Sequence, residues 1–383
     1  MQGGILRNNT NFLAAAFALT AVSYGLARFA FGLLLPQIRT ELSLDISTTG
    51  WIGSGAFVAY CVGILATFNL SRLCSLRGIA FAAGLSATIG MVIIVFSTSG
   101  LTLGIGIALA GLSTGLTSPP LATAISLYFD DENRPRANSI INAGTAAGIV
   151  FSGAASLIAF GDWREIYMVF SLVSCGVTIW IFCSLPSALE RSTIETGLFS
   201  TLRRPAIFQL CLGSFLVGLS STGIWTFGGS ILRDEFDFTE SNVAWIWVAL
   251  GLAGISGSMT GILVQRFGIL RVHRISIIAM AIGTFALSFT SVSAVFGFVS
   301  VAIFGAAYII SSGTFLIQGI KLIPDRPDLG LGIPFLVLAL GQSTGSPLFG
   351  ALIEARGMLF ALAVFSLVAL ISSFIHLRYS LET

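Results

Sequence analysis

Twelve runs of about 20 apolar residues, parted by short polar turns, constrain this chain more than anything else in it. They cover 12–36, 48–70, 78–97, 101–128, 136–160, 164–185, 206–232, 241–265, 273–291, 294–320, 329–353 and 358–377. A segment of about 20 apolar residues coiled as an α-helix matches the thickness of bilayer hydrocarbon and satisfies every backbone hydrogen bond internally. An all-α, multi-pass membrane protein is therefore expected. Only 9% of the 383 residues are charged and 55% are hydrophobic, against about 25% charge in a typical soluble domain. The first run is too long for the apolar core of a cleavable signal peptide and opens a series of similar runs, so it is read as a permanent span.

Lys and Arg set the expected orientation. With the N-terminus inside, one face receives Arg7, Arg72, Arg77, Arg134, Arg136, Arg191, Arg203, Arg204, Arg266, Arg271, Arg274, Lys321, Arg326 and Arg378. The other receives only Arg39, Arg164, Arg233 and Arg356. A missed or invented helix would scramble this asymmetry, so it supports an even number of spans with both termini cytoplasmic. A bacterial cytoplasmic membrane is the expected location.

The halves are related at an offset of about 197 residues. Gly144, Gly148 and Gly153 punctuate the fifth span, as Gly341, Gly345 and Gly350 punctuate the eleventh; Arg28 shifted by the offset lands on Trp225. The longest polar break, 186–205, is the expected cytoplasmic linker between an N-terminal six-helix bundle, 1–185, and a C-terminal one, 206–383. Parallel six-span repeats place a pseudo-two-fold axis along the membrane normal and a solute site near the midplane.

The loop after the eighth span, Gly261-Ile-Leu-Val-Gln265-Arg266-Phe-Gly268, resembles the Gly-x-Leu-x-Asp-Arg-x-Gly signature of the major facilitator superfamily of secondary transporters. Its counterpart after the second span keeps Gly63, Leu65, Arg72 and Arg77, with Thr67 at the acidic position as Gln265 is in the second copy. Asp162-Trp163-Arg164 resembles another common feature of the superfamily. Ser23 to Pro36, with Gly25-Leu-Ala-Arg28-Phe29, looks like the first span of its YbfB/YjiJ-type branch. The resemblance implies alternating access between two six-helix bundles, a monomer, and a central cavity lined by spans one, four, seven and ten. It also makes Arg266, Gln265, Arg72 and Asp130 the candidate gating residues, their charges forming cytoplasmic salt bridges in one state and breaking them in another, or lying in a solvated loop that merely follows the charge asymmetry. Missing acids in both signature copies leave the family's usual latch incomplete.

Arg28 is the one charge deep inside an apolar run. A cation in hydrocarbon costs about 3 kcal/mol or more unless it faces a partner or a water-filled opening, so Arg28 is expected to look into the central cavity. At helical spacing Tyr24 and Phe31 share its face. Span seven adds Trp225 and span ten adds Tyr308 and Ser312, while Pro119-Pro120 is expected to break span four. Asn142 and Gln342 are secondary candidates from spans five and eleven, and either could instead hold Arg28 as a structural cation.

All seventeen Asp and Glu residues lie in turns or at span ends, so no carboxylate is available for a cation/proton exchange site inside the membrane. His273 is expected in a cytoplasmic turn and His376 at the end of the last span. The five Cys form no C-x-x-C, and neither His stands at ligand spacing, so no metal or other cofactor is expected. There is no catalytic Ser/His/Asp set and no basic run to track nucleic acid, so neither an enzyme nor a nucleic-acid binder is expected. The residues point to a transporter of a small organic anion anchored on Arg28. A coupling proton, if used, would ride on the solute or on an end-of-helix carboxylate such as Glu354. The alternative is an exporter of small amphipathic or aromatic compounds in which Arg28 is structural; a receptor on the same fold would ordinarily bring an added soluble domain.

Overall fold

The computed structural model describes residues 2–70, 73–158, 162–185, 205–324 and 326–375, and among them there is helix and turn but no strand. Eleven helices are long and apolar enough to cross a membrane: α1 Thr10–Leu42, α2 Ile46–Phe68, α3 Leu76–Val95, α4 Gly100–Tyr128, α5 Arg134–Ile158, α6 Trp163–Ser184, α7 Pro205–Glu235, α8 Glu240–Phe267, α9 Ile269–Phe289, α10 Ala294–Leu322 and α11 Leu329–Arg356. A twelfth apolar helix, α12 Met358–Ser372, is shorter, at 15 residues. All but one residue of the expected linker, along with Arg72 and His376, lie outside the described residues.

Local chemistry sets the helix ends. Ser99 and Thr102 form a reciprocal capping box at α4, and Asp162 accepts the Arg164 N–H at 2.8 Å to start α6. Asp45 starts α2 by accepting the Thr48 N–H at 2.6 Å and the Thr48 hydroxyl at 2.9 Å; these bonds hold its carboxyl below the ordinary carboxylate range. Gly268 and Gly357, at φ 83° and 85°, make the sharp turns after α8 and α11. α4 does not break at Pro119-Pro120 but runs through both.

Packing obeys the repeat. A Cβ on Gly144 or Gly148 would lie 2.3 Å from the Phe17 or Ala21 carbonyl oxygen, fixing α5 against α1 backbone to backbone. At the related positions, Gly341 and Gly345 put α11 against α7, where a Cβ would meet the Phe215 oxygen at 2.1 Å and the Leu219 oxygen at 2.5 Å. In hydrocarbon, where apolar surface gains nothing by hiding from lipid, such close approach of small residues is what holds helices together.

The six-helix halves meet through α1 with α7, α2 with α11, and α5 with α8. On the face away from the N-terminus the contacts are tight. Gly32 admits the Trp225 carbonyl, Arg39 Nη1 pairs with Asp234 at 2.8 Å, and Glu354 accepts the Ser47 N–H at 3.0 Å. α2 and α11 stay joined along their length, from the Ser54 hydroxyl bonded to the Ser343 oxygen at 2.7 Å to Phe68 over Gly332. α5 and α8 touch in their middle and far portions, at Gly251 and Gly153, and part toward the N-terminal face. There a cavity of about 570 Å³ opens, lined by α4, α5, α8 and α10 and including Asn138, Asn142, Thr260, Gln265 and Leu316.

Candidate solute site

Span one is not α-helical throughout: Ala21–Phe29 is π-helical. The wider turn, a frequent mark of functional sites, changes which residues share a face. Arg28 is 6% exposed and its guanidinium carbon lies 4.6 Å from the Tyr60 ring centre, 4.8 Å from those of Phe29 and Phe57, and 5.9 Å from that of Tyr24. Phe29, not the expected Phe31, supplies span one's second ring, because the α-helical spacing used to pick Phe31 does not hold here.

One amide organises the polar side. Gln342 of α11, fully buried, accepts from Arg28 Nη2 through Oε1 and donates through Nε2 to the Ser221 hydroxyl and the Tyr308 hydroxyl, each at 3.2 Å. Trp225 stacks on Phe29 at 3.9 Å and meets Tyr308 edge-on at 5.0 Å. The cluster has more donors than acceptors: Arg28 Nε and Trp225 Nε1 are buried without a hydrogen-bond partner, and no carboxylate pairs with Arg28 among the described residues. Arg28, Tyr24, Trp225, Tyr308 and Gln342 thus come together in one place. Phe57 and Tyr60 join them from α2; as ordinary aromatics in an apolar run they gave no sequence signal, since only the tertiary fold turns them to the guanidinium.

Two candidates, Asn142 and Ser312, fall elsewhere. Asn142 does not reach Arg28 but lines the large cavity and a chamber of about 40 Å³ at its inner end. Ser312 spends its hydroxyl on the Ile309 carbonyl at 2.8 Å, one residue from Gly313, which does line the cavity. On α4, Thr114 and Thr117 bind the Ser23 oxygens at 2.9 and 2.8 Å, tying α4 to span one.

Arg28 itself lines neither cavity. The inner chamber ends at Tyr24 and Ser118, whose hydroxyls are 2.6 Å apart, and the Tyr24 hydroxyl also meets that of Tyr60 at 3.2 Å. Beside them Tyr60, Cys61, Ile64 and Ala122 of the first half pack with Leu331, Phe335 and Ala339 of the second as an apolar seal. Neither of these two cavities reaches Arg28, which lies beyond Tyr24 and this seal.

Around the mouth, Arg134 pairs with Asp131 and lines the cavity with it and Lys321. Asp130, exposed, gives only its carbonyl, to the Asn133 and Arg134 amides, so its neighbour makes the ion pair because Asp131 stands at i, i+3 from Arg134. Gln265 lines the cavity; Arg266 is exposed, 5.3 Å from the Phe267 ring centre, with no ion pair among the described residues. His273 is not in a turn: it is buried in α9, its Nδ1 at 2.8 Å from the Thr314 hydroxyl of α10. Helix α9 begins right after Gly268, earlier than the charged residues Arg271 and Arg274 suggested.

A sequence profile of the Major Facilitator Superfamily matches residues 17–333. Human monocarboxylate transporter 11 is 26% identical over 215 residues, 54% of this chain and 45% of that one, so the chain covers less than half of that relative. The transcription regulatory protein OpdE of Pseudomonas aeruginosa is 24% identical over 377 residues, 92% of this chain and 89% of its own. The crystal structure of the nucleoside transporter NupG superposes with a TM-score of 0.76 at 14% identity, covering 95% of this chain and 98% of that one. With twelve apolar helices in two related sets of six, and a profile match across most of its length, the chain belongs to the Major Facilitator Superfamily.

Proposed function

We propose that this secondary transporter moves a small organic anion bearing one carboxylate, by rocking its two six-helix halves about the Arg28 cluster. The observation that carries this reading is the buried, carboxylate-free guanidinium of Arg28 among unbonded donors. A single buried cation balances one negative charge, whereas a second carboxylate would enter the low-dielectric site uncompensated. The partial kinship with a relative named a monocarboxylate transporter supports the same class. In this reading the N-terminal face is cytoplasmic and closure on the opposite face marks an inward-open state. The resemblance of span one's Gly25-to-Pro36 pattern to the YbfB/YjiJ-type branch supports kinship with that branch.

Uptake into proteoliposomes across a panel of mono- and dicarboxylates tests it. A charge-assisted hydrogen bond is worth about 1.5–3 kcal/mol, or roughly 10- to 150-fold, so Arg28→Ala is expected to lower uptake of the best monocarboxylate at least tenfold. Arg28→Lys is not expected to restore it, because an ammonium lacks the planar fork that grips a carboxylate. Wild-type uptake by Arg28→Ala would sink the anion reading while leaving the transporter assignment intact. One observation favours the exporter of aromatic compounds: Arg28 is held by Gln342 and boxed by four rings, as a structural cation would be. Drug resistance that needs Trp225 but survives Arg28→Gln selects that alternative.

A further inference from the structure

We infer that Tyr24 is a specificity-determining lid, whose ring must leave its place before any solute from the large cavity can meet Arg28. The inference deepens the anion reading by naming what selects the solute's size on the way in. Two cavities share Ala122, Ile125, Asn138, Asn142 and Leu316 in their walls, so they adjoin, the smaller lying inward of the larger. The larger holds about 570 Å³ and the smaller about 40 Å³. The larger volume suits a small organic molecule, whereas the smaller holds no more than a few waters. Tyr24 lines the smaller cavity, with Arg28 on its other side at 5.9 Å from its ring centre.

The lid is latched by polar groups and not wedged by apolar packing alone. Its hydroxyl bonds Ser118 of α4 at 2.6 Å and Tyr60 of α2 at 3.2 Å. Both bonds lie within the first six-helix half, whereas the apolar seal beside the ring spans both halves. The ring belongs to the π-helical segment, which is the part of span one free of straight α-helical geometry.

The test reads access to position 28 directly and needs no solute. In a background with Cys61, Cys74, Cys175, Cys183 and Cys211 replaced by Ala, Arg28→Cys is reacted in inside-out vesicles with a membrane-impermeant cationic methanethiosulfonate; Asn138→Cys in the open cavity is the reference. With Tyr24 in place, position 28 should react at least tenfold more slowly than position 138. Tyr24→Ala should raise the rate at 28 at least tenfold, Tyr24→Phe, which removes both latch bonds but keeps the ring, several-fold, and Ser118→Ala, which removes the shorter of the two, by less. Equal rates at 28 and 138 with Tyr24 present would overturn the inference. So would a rate at 28 that none of the three variants changes while position 138 stays reactive; if Tyr24→Ala does not fold, the two conservative variants decide. Loss of the anion reading would appear in uptake and not in these rates, so the two failures are distinguishable.

Discussion

At the residue scale, the cluster is built so that one amide does work no other side chain shares. Gln342 is the only hydrogen-bonding partner of the Arg28 guanidinium among the described residues, and it spends both ends at once. Gln342→Leu keeps the volume but leaves a buried charged group without its acceptor, a loss of about 3 kcal/mol or more. The thermal midpoint in detergent should fall accordingly. Because the penalty belongs to the pair, the Arg28→Ala and Gln342→Leu effects should be less than additive in a double-mutant cycle. Strict additivity would mean that the contact contributes nothing. Arg28 was legible in the sequence because a lone charge in an apolar run stands out against hydrocarbon. Phe29, Phe57 and Tyr60 were not, because an aromatic residue in a membrane helix is equally at home facing lipid, a neighbour or a cation.

At the element scale, glycines decide how near the helices come. Gly148 lets α5 lie against α1 at the π-helical segment, where a Cβ would fall 2.3 Å from the Ala21 oxygen and 2.9 Å from the Gly25 Cα. Both obstacles are backbone, which cannot rotate aside. Gly148→Ala should therefore destabilise the protein by about 1–3 kcal/mol, the range of overpacked cores. Gly176→Ala on α6, with nothing within 4 Å of its Cβ, should leave the thermal midpoint unchanged or slightly raised. A reversed order for the two would refute the packing account. The spacing of Gly144, Gly148, Gly341 and Gly345 disclosed this framework in the sequence. The π-helical turn did not, since apart from the charge of Arg28 the pattern of Ala21–Phe29 carries no signal for a widened turn.

At the scale of the whole molecule, closure is unequal. The face away from the N-terminus is held shut across the halves by Arg39 with Asp234 and by Glu354 on the Ser47 amide, while the opposite face gapes between α5 and α8 and stays closed between α2 and α11. Arg39 is 19% exposed and Asp234 47%, and partly exposed ion pairs contribute about 0.2–1 kcal/mol. Asp234→Asn should accordingly favour opening of this face by no more than about fivefold. The shift should show as faster labelling of Ser230→Cys, in a background without other cysteines, by an impermeant thiol reagent applied to that face. High salt should reproduce part of the gain in the unmutated pair, and no change in either measurement would mean that the ion pair does not hold this face closed.

The sequence by itself determined the membrane class, the count of spans, the repeat and the singular position of Arg28, because hydrocarbon penalises charge and unpaired backbone wherever they occur along a chain. Tertiary structure alone decided that the guanidinium sits behind Tyr24, bonded to a residue 314 positions away, and that the opening lies between α5 and α8. Those outcomes depend on which helices approach closely enough to exchange contacts, and that is set by packing between distant segments that no local pattern records.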